Sequence, residues 1–111
     1  MTAYRVPMHA TCHAAQAEAI AEYLRVIPGL YAMAKPQLLE RGHARVDFSL
    51  VVRDEVQEGS LSQTAEERVR QYLWQRPDLQ PVDVVARTPE RLSEADEARL
   101  PPEHIPPRRA L

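Results

Sequence analysis

His9, Cys12 and His13 form the densest set of reactive side chains in the sequence. Imidazole and thiolate are both good ligands for zinc or copper, so this run is a candidate metal site, with a transition-metal ion as its cofactor. The ligands would have to converge, and a loop between a first strand and a first helix would let them. A cysteine at the start of a helix also gains thiolate character from the backbone dipole. The spacing matches no recognised metal pattern, and a tetrahedral site needs a further ligand. The other histidines are His43, in a hairpin turn, and His104, in the C-terminal tail, and neither is an obvious fourth ligand. The alternative reading is a polar loop in which Cys12 is a small, partly buried hydrophobe.

Nucleophilic catalysis by Cys12 would need an oriented base. His13 is adjacent, and neighbouring helical side chains do not face each other. His9 has better geometry, but no acid is clearly set to orient it. Asp47 is the one acid on the outward face of a central strand, between Arg45 and Ser49. It would serve a pocket on the open sheet face or form a solvated ion pair with Arg45. Only three glycines occur, without close repeats, so there is no phosphate-cradling loop. No catalytic residue is assigned.

The elements that must position these groups follow from periodicity. Tyr4, Val6 and Met8 alternate in a short first strand. Ala14 to Ile27 switches to helical period, with Ala17, Ile20, Leu24 and Ile27 as the buried stripe and Pro28-Gly29 as the stop. Leu30 to Leu39 reads as a second strand weakened by Pro36, and Glu40 to His43 as a turn. Ala44, Val46, Phe48, Leu50 and Val52 alternate with Arg45, Asp47, Ser49, Val51 and Arg53 in the third strand, closing an antiparallel hairpin. Asp54 to Gly59 is a polar connection, and Ser60 or Thr64 begins a second helix with Leu61, Ala65, Val69, Tyr72 and Leu73 on its buried face. Glu66 and Arg70 pair on its outside. Val82, Val84 and Ala86 mark a fourth strand, and Thr88-Pro89 starts a short helix reaching about Leu100.

The order β-α-β-β-α-β predicts an α+β, ferredoxin-like sandwich. Its four-stranded antiparallel sheet would have the order 4-1-3-2, with both helices on one face. Pro36 and Pro81 then fall on edge strands, where proline is tolerated. Residues 1–90 form this domain, and residues 91–111 a short helix and Pro-rich C-terminal tail.

The chain has 111 residues, 44% of them hydrophobic, enough for one core without disulfides or metal. Sixteen acids against fourteen bases give a formal charge of −2, which argues against holding nucleic acid or anionic lipid by bulk electrostatics. Tyr4 and Phe48 share parity with the helix-facing positions, so the base-stacking platform of an RNA-recognition sheet is not expected either. No apolar run approaches the roughly 20 residues that span a bilayer, and the N-terminus lacks a secretory pattern. With one cysteine, a reducing, cytoplasmic setting is expected.

The stretch from about Ala17 to Glu90 resembles the C-terminal cytoplasmic domain of cation diffusion facilitator transporters. The residues that carry the resemblance are Pro28-Gly29-Leu30, Arg41-Gly42, Val46-Asp47-Phe48, Leu61-Ser62, Val69 to Leu73, and Val84 to Pro89. It implies a dimerising ferredoxin-like module. The family's metal ligands do not carry over: the second-helix histidine falls near Thr64 or Ala65, and the His and Asp of the last strand fall on Ala86 and Thr88.

A sheet with helices on one side leaves its other face to cover, and a homodimer is the simple solution. Tyr31, Met33, Val51 and Val85 are the expected interface residues. The leading expectation is a non-enzymatic, homodimeric interaction or regulatory module that also uses its tail. The alternatives are a metal-binding or metal-sensing module using His9, Cys12 and His13, and a small dimeric enzyme with a pocket between sheet and helices.

Overall fold

The structure is a computed structural model that describes residues 3–53 and 60–98. The expected connection 54–59 and the Pro-rich tail lie outside the described residues. In chain order the elements are β1 (Ala3–His13), α1 (Ala17–Leu24), β2 (Leu30–Met33), β3 (Gln37–Leu38), β4 (His43–Arg53), α2 (Leu61–Trp74), β5 (Asp83–Ala86), β6 (Glu90–Arg91) and α3 (Glu94–Ala98). The fold is α+β around one antiparallel sheet. Four strands lie in the order β2-β4-β1-β5, while β3 also pairs with β4 and β6 with β1.

Among the described residues the sheet has six strands where the sequence pattern predicts four. The stretch 30–39 is interrupted between β2 and β3 at Ala34, Lys35 and Pro36, and both pieces run along β4. Pro36 has no N–H to give a ladder there. The expected helix from Thr88-Pro89 is also corrected. The chain instead rejoins β1, where Tyr4 faces Arg91 and Arg5 faces Glu90. The short helix starts later, at Glu94, and the Ser93 hydroxyl accepts the Asp96 N–H at 3.1 Å.

One core joins the helices to one face of the sheet. Ala17, Ile20, Ala21 and Leu24 of α1 and Leu61, Ala65, Val69 and Leu73 of α2 pack with Val6, Met8, Ala10, Cys12, Val46, Phe48, Leu50 and Val84. The β-strand period of two places these sheet residues on the same side. Tyr23 and Tyr72 stack at 4.3 Å between the helices, and the Tyr23 hydroxyl donates to the Tyr72 carbonyl at 2.8 Å. Beyond α1, Gly29 has φ +87° and its carbonyl accepts the Val51 N–H at 2.8 Å. A Cβ there would lie 3.4 Å from the Val51 carbonyl oxygen, a van der Waals contact, so it is the positive φ that favours glycine.

On the other face, a smaller cluster of Ala3, Val51 and Leu92, with Tyr31 against it, covers one corner. Among the described residues, no helix is long and apolar enough to cross a membrane.

Candidate functional site

His9, Cys12 and His13 do not lie in a loop. β1 continues through all three, because Met8, Ala10 and Cys12 alternate with His9, Thr11 and His13. Alternation sends Cys12 into the helix-side core and both histidines to the opposite face. Cys12 is buried, its thiol 3.9 Å from the Ala44 carbonyl oxygen, and burial pushes its pKa up. A raised thiol pKa is the reverse of the activation that a nucleophile or metal ligand needs. The three side chains therefore do not converge. Among the described residues, no group of three or more His, Cys, Asp or Glu is assembled closely enough to hold an ion.

The strand creates two other juxtapositions. His9 faces Asp47 on β4 and Val85 on β5, with its Nδ1 buried and without a hydrogen-bond partner. At the end of the ladder, His13 faces His43, and their rings stack at 5.7 Å with 21° between planes. His43, expected from sequence in a hairpin turn, is the first residue of β4. The signal that brings it to His13 is the full-length register between β1 and β4.

The sheet face opposite α1 and α2 also carries a shallow groove of about 340 Å³ that spans β2, β4 and β1 and reaches Arg87 just beyond β5. Pro7, Ala32, Ala34, Ser49 and the charged residues Arg45, Asp47 and Arg87 line it. Arg45 is tied to Asp47 at 3.3 Å and to the Gln37 side chain at 3.1 Å. Asp47 is thus in the pocket-facing position expected from sequence, but bound to Arg45 as an ion pair.

Two of the expected interface residues are displaced from the open surface. Val51 is fully buried under Leu92. A bulge between Leu30 and Ala32 turns Met33 to face Phe48, so it packs against the helix-side core. Tyr31 is half-buried, with the Arg5 guanidinium 6.0 Å from its ring centroid, and Val85 remains 46% exposed.

No family model, curated protein or solved structure matches the chain.

Both sheet margins are modified against strand addition. On β5 the Ala86 N–H donates to Glu66 at 2.9 Å, and the Val84 carbonyl accepts from Arg70 at 3.1 Å. On the opposite margin, the bulge in β2 and the break at Pro36 interrupt the ladder.

Proposed function

We propose that the chain is a non-enzymatic, ferredoxin-like interaction module that acts as a homodimer through the sheet face opposite α1 and α2. The observation that carries this reading is the half-exposed Val85 beside a groove bearing charges of both signs. An isologous contact repeats the same patch on both subunits, so a two-fold arrangement can set Arg87 of one copy against Asp47 of the other. Apolar Pro7, Ala32 and Ala34 supply the area between these charges. The capped β5 margin favours face packing over edge pairing as the mode of association. The strand order and the resemblance of residues 17–90 to a dimerising cytoplasmic domain support the same architecture.

Sedimentation velocity tests the proposal directly. The wild type is expected to run as a dimer at micromolar concentration. Val85→Glu, which buries a charge in the contact, is expected to run as a folded monomer. A monomeric wild type, or a dimer indifferent to Val85→Glu and Arg87→Glu, would overturn it.

A further inference from the structure

We infer that His13 and His43 form a cross-strand binding site for a divalent transition-metal ion of the zinc, nickel or copper class. The inference is independent of the dimer. Directly opposed residues on antiparallel strands hold their Cβ atoms about 4.5–5.5 Å apart, which brings two imidazoles within reach of one ion. The two rings already lie nearly parallel, 5.7 Å between centroids, and both residues are exposed. Rotation about their side-chain torsions therefore meets little packing resistance while the nitrogens move to the ~2.0–2.1 Å ligand distance.

A second groove, of about 180 Å³, gathers Thr11, Cys12, His13, His43, Pro81 and Asp83. Asp83 faces Thr11 across the β1–β5 ladder and lies one diagonal step from His13. Its carboxylate adds negative charge to the groove that both histidines line. Imidazole suits zinc, copper and nickel, whereas calcium and magnesium prefer oxygen ligands, so the pair selects the transition-metal class. The ligand set keeps His13, drops His9 and Cys12 from the run seen in the sequence, and adds His43. The paired register of two long strands brings the two ligands together.

The test is calorimetric titration of the full chain with zinc chloride and nickel chloride, with histidine ring proton spectra recorded during the nickel titration. One ion per chain is expected, and nickel should broaden the His13 and His43 ring signals before that of His9. His13→Asn and His43→Asn should each weaken binding at least tenfold, while His9→Asn leaves it unchanged. Thermal melts provide a second reading: zinc at about ten times its Kd should raise the wild-type Tm by roughly 6–11 °C, and neither His13→Asn nor His43→Asn should show the shift. Binding that is absent at millimolar metal, or that survives both substitutions, would overturn the inference.

Discussion

The carboxylate of Glu66 on α2 accepts the backbone N–H of Ala86 on β5 at 2.9 Å. Its other oxygen lies 3.1 Å from Arg70, which itself donates to the Val84 carbonyl. One helical i,i+4 pair thus occupies a donor and an acceptor on the outer margin of the sheet. Glu66→Ala removes the acceptor and leaves Arg70 without its carboxylate. We expect a loss of about 1–2 kcal/mol in urea denaturation, since a hydrogen bond to a charged group exceeds a neutral one. We also expect larger assemblies than the wild type in light scattering, because the freed β5 backbone can template another strand. An unchanged midpoint with unchanged mass would show that the pair does not protect the margin.

Leu92 is 8% exposed and lies over Val51 and Ala3, where it shields one corner of the sheet face opposite α1 and α2. Leu92→Ala should cost about 2–3 kcal/mol, the low end for leucine truncation because the cluster is small and peripheral. Chemical denaturation measures this directly. A loss below about 0.5 kcal/mol, the range of ordinary surface substitutions, would mean that the segment after β5 contributes little to the fold.

The parts of the fold legible in the sequence were those with long, regular burial. The stripe Ala17, Ile20, Leu24 and Ile27 and the alternation from Ala44 to Val52 both fall in the core. The Glu66–Arg70 pair also lies where the helical spacing predicts it. The length of β1 was harder to read, because its continuation buries only the small Ala10 and Cys12 between His9, Thr11 and His13. Such small side chains give a weak apolar signal, so a buried strand end resembles a polar loop. The local bulge that turns Met33 has no pattern of its own, and Leu92 is covered by contacts far away in the chain. The same limit applies to the site: proximity in sequence joined His9, Cys12 and His13, whereas strand alternation separates Cys12 from both and cross-strand register brings His43 to His13.

Burial raises the Cys12 pKa above its ordinary value of 9.0. The protonated thiol is therefore the form that the folded state prefers. Its contribution to stability is complete below the unfolded pKa and is lost as pH rises toward the folded one. Wild-type stability should fall more steeply above about pH 9 than that of Cys12→Ala, measured by urea denaturation from pH 7 to 10. Native Cys12 should also react far more slowly with a thiol reagent than the urea-unfolded chain. Equal alkaline slopes in the two proteins, or rapid native labelling, would contradict a buried, protonated thiol.

The turn before β4 contains two successive residues of positive φ, Arg41 at +60° and Gly42 at +74°. A Cβ added at Gly42 would meet nothing within 4 Å, so Gly42→Ala changes backbone preference without a steric clash. We expect a loss of about 1 kcal/mol from forcing an L-residue into left-handed geometry. Arg41 already bears that strain, and Arg41→Gly relieves it while adding freedom to the unfolded chain. The two effects oppose, so Arg41→Gly should lie within about 0.5 kcal/mol of wild type. Adjacent substitutions at exposed sites should therefore differ clearly in urea midpoint. The turn leads directly into His43, and a one-residue slip of β4 along β1 would send His43 to the opposite face of the sheet. If Gly42→Ala keeps that register, its midpoint should fall while zinc still raises its Tm. A midpoint equal to wild type would remove the left-handed turn as a determinant of β4.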